Sequence, residues 1–437
     1  MNKLTLGKKI KKARLEMNLT QQQLAGDFIT RNMLSKIEND VAKPSIKTIE
    51  YLAKKLDKPV SYFLESLVNL DNNYNSNIEL IFEHANSLLK NNEYDKCINY
   101  VENMIKQSDQ LSDSIYHGRI LYTLANCYKK KSKLDKTKVL LKKCIELLKN
   151  HNDNYYLAYS YFDLSCIYFN DKEYSKTEKC VRKALKYFSN FQINDLLFEI
   201  KLYYGLGYSL VKQEKYYESL NYLIHAIEIS EQNQCFYNTG EIYMLLGLVY
   251  KYQNNLEEAI YYTQKAIKFF DLLENFPLKA SCQRNLGNFY AKKGDYDKGE
   301  FYLNKALNYF QSINNITKSN ALKIDILSVL NKKELYLKAI EYAKKIEIET
   351  ISSSDKVYLF KNLGHAYFSI KKFEKAKEYL KKALQFSKVN GDYDMIYEVY
   401  NLLSKIYSSE ENYKEAYMYS NKAKEILQKL SKNKVNI

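Results

Sequence analysis

Apolar side chains recur every three or four residues along most of the chain, which is the spacing of one face of an α-helix. The first such face consists of Leu6, Ile10, Ala13 and Met17. The polar segment at residues 71–77 (DNNYNSN) has no hydrophobic period and interrupts this pattern. We therefore predict a small helical domain at residues 1–66, a linker at 67–77 and a second helical region at 78–437.

The first region contains several helix start and stop signals. Thr20 and Gln23 match a capping box, which predicts a helix that begins directly after Thr20 and ends at about Gly26. Thr30 is placed to cap a third helix, and Pro44 prevents that helix from continuing. With a fourth and a fifth helix further on, the pattern indicates five short helices with a tight turn between the second and third.

From residue 78 onward the sequence repeats, with a small residue followed nine positions later by a large apolar one. The small-residue positions are Ala85, Ala125, Ser165, Gly207, Gly247, Gly287, Leu327, Gly364 and Ser404. The large residues are Tyr94, Leu134, Tyr174, Tyr216, Leu256, Tyr296, Tyr336, Phe373 and Tyr413. Small residues let two antiparallel helices approach closely, so the pattern predicts about nine helix pairs. Leu327 is not small, and we expect the seventh pair to be distorted.

Composition supports an all-α fold. Only 12 Gly and 3 Pro occur in 437 residues, which argues against glycine-rich phosphate loops and turn-dense β-folds. The formal net charge of +16 suits nucleic acid or another anionic partner without identifying it.

Motifs for catalysis, metal binding and membrane insertion are not evident. The seven cysteines are scattered without a C-x-x-C pair, so we expect buried thiols rather than disulfides or zinc ligands. The five histidines are isolated, and neither a P-loop nor a nucleophile elbow occurs. We expect no enzyme activity, no cofactor, no membrane span and a cytoplasmic location.

Residues 19–56 resemble the repressor-type (Cro/C1, XRE) helix-turn-helix DNA-binding domain. The matching positions are Thr20, Gln21, Leu24, Ala25, Leu34, Ser35, Ile37, Glu38, Asn39, Pro44, Leu52 and Ala53. The sequence departs at Asp40, where the family usually has Gly, so we expect a strained turn that Asp tolerates better than most residues. In this family the third helix lies in the major groove and the second crosses the DNA backbone.

This resemblance assigns roles on the third helix. Arg31, Asn32, Ser35 and Lys36 avoid its apolar stripe and form the predicted reading face, where Arg can bond guanine and Asn adenine. The complete predicted DNA-binding set is Gln21, Gln22, Thr30, Arg31, Asn32, Ser35, Lys36 and Asn39. The alternative is a merely solvated polar face. For Arg14 and Glu38 we expect a structural ion pair between the first and third helices.

Residues 286–307 and 363–384 resemble tetratricopeptide repeats, although the period is about 40 instead of 34 residues. The resemblance implies a right-handed solenoid whose concave groove is lined by the first helix of each pair. Asn recurs directly after the small residue, where peptide-binding members use it to hold a peptide backbone. The predicted peptide-binding set is Asn86, Asn126, Tyr204, Arg284, Asn288, Lys361 and His365. Arg284 and Lys361 can meet a peptide carboxylate; alternatively, each Asn serves only solubility.

The combination of the two regions resembles the RRNPP group, intracellular receptors for imported peptide pheromones in Gram-positive bacteria. It implies a homodimeric transcription regulator that binds a short signalling peptide and an inverted-repeat operator in double-stranded DNA. Two alternatives stay open. The solenoid can bind a partner protein such as a response regulator, or it can only dimerise the DNA-binding domains without a ligand.

Overall fold

The computed structural model forms two compact units, residues 1–215 and 216–437. It describes residues 4–64, 74–107, 114–190 and 195–435. Within these ranges the chain forms 23 α-helices and no strand, which confirms the predicted all-α class. None of the described helices is both long enough and apolar enough to cross a membrane.

The N-terminal head consists of α1 (Leu6–Glu16), α2 (Gln21–Ala25), α3 (Arg31–Glu38), α4 (Ile46–Lys55) and α5 (Val60–Leu64). The predicted capping box is present. The Thr20 hydroxyl accepts from the Gln23 backbone N–H at 3.2 Å, and the Gln23 side chain accepts from the Thr20 N–H at 2.8 Å. Thr30 caps α3 by accepting from the Met33 N–H at 3.1 Å. The fully buried core of the head includes Ile10, Leu24, Leu34, Ile37, Ile49 and Leu52.

Helix pairs follow in the order predicted. In the first unit these helices are α6 (Tyr74–Lys90), α7 (Tyr94–Gln107), α8 (Ile115–Lys130), α9 (Leu134–Asn150), α10 (Asn154–Asn170), α11 (Tyr174–Asn190) and α12 (Leu196–Lys212). In the second unit they are α13 (Tyr216–Gln232), α14 (Thr239–Tyr252), α15 (Leu256–Leu272), α16 (Phe276–Lys293), α17 (Tyr296–Ser312), α18 (Ile316–Lys332), α19 (Tyr336–Ala343), α20 (Ser353–Ser369), α21 (Phe373–Asn390), α22 (Tyr393–Ser409) and α23 (Tyr413–Val435). Each large residue of the repeat pattern is the first residue of a second helix.

The small residues serve the predicted close packing. A Cβ atom on Gly287 would lie 2.7 Å from Leu303 Cγ, and one on Gly364 would lie 2.6 Å from Leu380 Cγ. The seventh pair is distorted as expected, since α19 has 8 residues and a short 3₁₀ helix follows it. Leu327, which stands at the small-residue position of this pair, is fully buried.

Every turn between the two helices of a pair contains a left-handed residue two positions before the second helix. These residues are Asn92, Ser132, Lys172, Glu214, Asn254, Gly294, Glu334, Lys371 and Glu411. In the first pair the Asn92 N–H donates to Leu89 O at 3.1 Å and the Glu93 N–H to Leu88 O at 2.9 Å. This is the Schellman pattern that ends a helix. A non-glycine residue adopts the left-handed conformation at a cost of about 1 to 2 kcal/mol. Eight of these nine turns therefore form without glycine, at that cost in each turn.

The head packs against the first repeat within the first unit. Phe63 of α5 belongs to the same hydrophobic cluster as Ile78 and Ile81 of α6. Glu50 Oε1 of α4 lies 3.8 Å from His84 Nδ1 of α6. Helix α6 begins inside the predicted linker, and residues 65–73 lie outside the described part, so the domain boundary itself stays a prediction.

Candidate DNA and peptide interfaces

A buried ion pair holds helix α3 against α1. Arg14 donates from Nε to Glu38 Oε1 at 2.6 Å and from Nη2 to Glu38 Oε2 at 3.0 Å. The hydrogen bond to Glu38 raises the pKa of Arg14. Gln21 Nε2 also donates to Glu38 Oε2 at 2.8 Å, which ties α2 to the same carboxylate. The structure therefore confirms the predicted ion pair and gives Gln21 a positioning contact within the head.

The predicted reading face lies on the outer side of α3. Arg31, Asn32 and Lys36 are exposed, and Ser35 is half-buried. Among the described residues, neither Arg31 nor Lys36 has an ion-pair partner. Met33, which sequence reasoning did not select, is 37% exposed on the same helix. It adds an apolar group of the kind that contacts thymine methyls.

The other predicted DNA contacts lie at helix ends. Gln22 is exposed at the start of α2. Thr30 uses its hydroxyl as the α3 cap. Asn39 is exposed at the end of α3, and its Nδ2 donates to Ser35 O at 2.9 Å. Gln22 and Asn39 are therefore accessible to phosphate, whereas Thr30 acts first as a structural cap.

Asp40 adopts the expected left-handed conformation, with φ 58°. Its carboxylate accepts from the Gly7 backbone N–H at 3.0 Å and from the Thr5 hydroxyl at 2.5 Å. Both donors lie at the N-terminus of α1, where a negative charge is favourable. The departure from Gly thus adds a link between α1 and the end of α3 that offsets the backbone strain.

In the second unit, a carboxylate organises two predicted peptide-binding residues. Arg284 Nε and Asn288 Nδ2 of α16 donate to Asp325 Oδ2 of α18, at 2.5 and 3.3 Å. Partial desolvation opposes the charge on Arg284, but Asp325 outweighs it and raises the pKa of the guanidinium. Asp325 therefore stands where Arg284 was predicted to meet a peptide carboxylate.

A similar group occurs in the first unit. Tyr122 Oη and Lys129 Nζ of α8 donate to Asp163 of α10, at 3.2 and 2.5 Å. Burial, followed by the charge of Asp163, raises the pKa of Tyr122 well above its usual range. Asn126 Nδ2 donates to Tyr122 O at 3.1 Å, so this amide is partly engaged by its own helix.

Sequence reasoning missed the two carboxylates, although a signal for them exists. Asp163 and Asp325 each lie two positions before the small-residue position of their repeat, at Ser165 and Leu327. Each contacts the residue three positions before the small residue of the preceding repeat, and that repeat carries Asn directly after its small residue. A comparison of each repeat with the one before it would have identified both Asp163 and Asp325.

The remaining predicted peptide-binding residues are divided between the units. Asn86 on α6 and Tyr204 on α12 are half-buried in the first unit, and the Tyr204 ring lies 5.8 Å from that of Tyr208. Lys361 and His365 line one cleft of about 350 Å³ in the second unit. The other residues lining this cleft are Ser328, Asn331, Lys332, Asn362, Glu398, Asn401, Leu402 and Lys405.

Other chemically active groups are scattered. Across the described ranges, no cluster of three or more His, Cys, Asp or Glu side chains could hold a metal ion. Five cysteines are buried as expected, whereas Cys166 and Cys235 are half-buried.

Comparisons with known families match both regions. Residues 10–63 match the helix-turn-helix family. The tetratricopeptide repeat families match residues 118–151, 198–271, 284–312, 357–388 and 397–427. The chain thus joins a helix-turn-helix domain to tetratricopeptide repeats, which confirms the predicted combination. No curated protein matches the sequence.

Three solved structures are similar to this chain, and the two with TM-scores above 0.5 share its fold. The apo form of RapI is 16% identical, with a TM-score of 0.59 over 81% of this chain and 98% of that one. The apo form of the quorum sensor NprR from B. thuringiensis is also 16% identical, with a TM-score of 0.53 over 80% of this chain and 99% of that one. PlcR from Bacillus thuringiensis, solved with the peptide PapR7 and DNA, is 22% identical, with a TM-score of 0.33 over 64% of this chain and 98% of that one.

Proposed function

We propose that the chain is a DNA-binding transcription regulator of the RRNPP type, controlled by a short peptide bound to its tetratricopeptide repeats. The observation that carries the proposal is the exposed face of α3, with its hydrogen-bond donors Arg31, Asn32 and Lys36, on a helix that the buried Arg14–Glu38 pair holds against α1. The fold shared with the quorum sensor NprR supports the link to signalling. The proposal places the protein in the cytoplasm and gives it no catalytic activity.

Recognition of two half-sites follows from the size of the head. One small domain contacts too few bases for tight specific binding, so we propose a homodimer on an inverted-repeat operator. The half-site centres should lie about 10 base pairs, or a multiple of that, apart. Footprinting tests this, and protection of a single half-site by a monomer would contradict it.

DNA recognition is tested by Arg31→Ala. Loss of a bidentate base contact costs about 1 to 3 kcal/mol at one operator position, so specificity should relax there. Selection from randomised DNA measures the change. Lys11→Ala, an exposed cation on α1, is the matched control and should retain the wild-type consensus. An unchanged consensus for Arg31→Ala would contradict the assignment.

Peptide binding is tested by Asn288→Ala. Peptides that copurify with the protein are identified by mass spectrometry, resynthesised and titrated by calorimetry. An unpaired peptide amide costs about 1 to 3 kcal/mol, so binding should weaken about 5- to 150-fold. Asn308→Ala, at an exposed position on α17, should retain wild-type affinity. If Asn288→Ala binds the peptide as tightly as Asn308→Ala does, Asn288 does not hold the peptide and serves only its hydrogen bond to Asp325.

The alternative in which the repeats bind a partner protein without DNA leaves the reading face unexplained. A dimer that binds no ligand leaves the cluster of Arg284, Asn288 and Asp325 in the second unit unexplained. If no peptide copurifies with the protein and no added peptide binds to it, the second alternative is favoured.

A further inference from the structure

The cleft in the second unit carries more positive than negative charge. Lys332, Lys361 and Lys405 line it from three successive first helices, together with the single carboxylate of Glu398. Lys361 Nζ lies 2.6 Å from Glu398 Oε2, so these two charges compensate each other. Within the described ranges, neither Lys332 nor Lys405 has a carboxylate partner. The Lys332 ammonium donates to the backbone oxygen of Ala291 at 3.4 Å, and both lysines are exposed. Two ammonium groups therefore line the cleft without a carboxylate as counter-charge.

The titratable groups of the cleft respond to this excess. Burial lowers the pKa of His365, and the charges of Lys361 and Lys405 lower it further. Loss of hydration lowers the pKa of Lys332, and the charges of Lys361 and Lys292 act in the same direction. Both shifts have the sign expected where cations lie close together. A bound anion would relieve the repulsion.

A buried hydrogen-bond acceptor completes the cleft. Asn331 is only 5% exposed, and its Nδ2 donates to the backbone oxygen of Asn362 at 2.9 Å. Its Oδ1 has no hydrogen-bond partner in the described part of the chain. A buried acceptor left unpaired is costly, so a ligand N–H that reaches it gains affinity.

We propose that this cleft binds a carboxylate of the peptide ligand through Lys332 and Lys405, while Asn331 accepts an N–H of the same ligand. The inference rests on the proposed function and refines it. The charge of Arg284 is already compensated by Asp325. We therefore assign the peptide carboxylate to Lys332 and Lys405, which have no carboxylate partner, instead of to Arg284. A peptide C-terminus carries a carboxylate and an N–H in one residue and satisfies both features. An Asp or Glu side chain supplies the same carboxylate chemistry.

Two pools of N-acetylated random heptapeptides test the proposal, one with a free C-terminal carboxylate and one amidated. Full-length protein is incubated with each pool, and retained peptides are quantified by mass spectrometry after gel filtration. The wild type should retain the free-acid pool about tenfold better, as expected for a charge-assisted hydrogen bond. Lys332→Gln and Lys405→Gln should abolish the preference. Lys381→Gln, exposed on α21 and outside the cleft, should keep it.

The outcomes separate the two carboxylate sources and the two proposals. Enrichment of Asp or Glu in both pools, lost in Lys332→Gln and Lys405→Gln, assigns the carboxylate to a side chain and supports the site. Retention that is indifferent to carboxylates and to both lysine substitutions overturns the site but leaves peptide binding in place. Retention of neither pool overturns both proposals. Circular-dichroism melting establishes that each variant is folded.

Discussion

Two cations of the second unit, Arg284 and Lys361, are held differently from the cations of helix α3. Arg31 and Lys36 are exposed on α3 and form no ion pair with described residues, whereas Arg284 is bonded to Asp325 and Lys361 to Glu398. DNA would present many phosphates to the proposed reading face, and binding releases the counterions condensed on the DNA. Exposed cations without an ion-pair partner therefore lose little free energy by staying hydrated until DNA binds. A short peptide supplies few charges. Side chains that are already held by an ion pair lose less rotamer entropy when it binds than mobile side chains would.

The contrast also applies inside the head, where Arg14 is buried and paired while Arg31 is neither. Paired cations position other groups, and unpaired cations are free to contact a ligand. Three substitutions test this distinction, in order of decreasing expected effect.

Glu38→Ala should have the largest effect. It leaves the Arg14 guanidinium buried without its carboxylate, which costs about 3 to 5 kcal/mol. It also removes the acceptor for Gln21. Faster hydrogen exchange at residues 4–64, measured by mass spectrometry, and loss of operator binding are the expected results.

Glu16→Ala is the matched control for that experiment. Its carboxylate lies 4.0 Å from Lys12 Nζ and 3.7 Å from Lys58 Nζ, and all three side chains are at least 37% exposed. Exposed pairs of this kind contribute about 0 to 1 kcal/mol, so exchange in the head should hardly change. If Glu38→Ala behaves like this control, the buried pair does not anchor α3.

Asp325→Asn should have an intermediate effect. It removes the counter-charge of Arg284 and so makes this cation an unpaired one. The amide can still accept from Asn288, but Arg284 loses its counter-charge. Because the pair is partly exposed, we expect a loss of about 1 to 2 kcal/mol in the free energy of unfolding. Denaturant titration measures it, with Asp297→Asn, whose side chain is 88% exposed, as the control. Equal losses in the two variants would remove the distinction between positioning and surface pairs.

His365→Asn should have the smallest effect, and only in acid. The folded state lowers the pKa of His365 below its usual 6.5, through burial and then Lys361 and Lys405. The unfolded chain therefore binds the proton more readily, and stability is lost as the pH falls through 6.5 towards the lowered pKa. Lys332 and Glu398 line the same cleft, and the Tyr336 ring lies 6.0 Å from the His365 ring. Unfolding titrations at pH 8 and pH 5.5 should show a smaller acid loss for the variant, and identical losses would contradict the assignment.

Much of the architecture was predictable because it depends on local sequence patterns. Thr20, Gln23 and Thr30 marked helix starts through hydrogen bonds within a few residues. The large residue of each repeat marked the start of each second helix. The irregular Leu327 predicted the distorted seventh pair. The exposed side of α3 followed from helical periodicity alone.

Only the tertiary structure decided which polar groups meet. Asp325 approaches Arg284 from the next repeat, 41 positions further along the chain, and the cleft joins residues from α18, α20 and α22. Such contacts depend on how successive helices stack, which sets side-chain distances that no local pattern encodes. The sequence by itself determined the helices, their pairing and which side of α3 is exposed. Packing between repeats determined which groove cations are compensated and which stay available, because a charge interaction depends on distance in space and not along the chain.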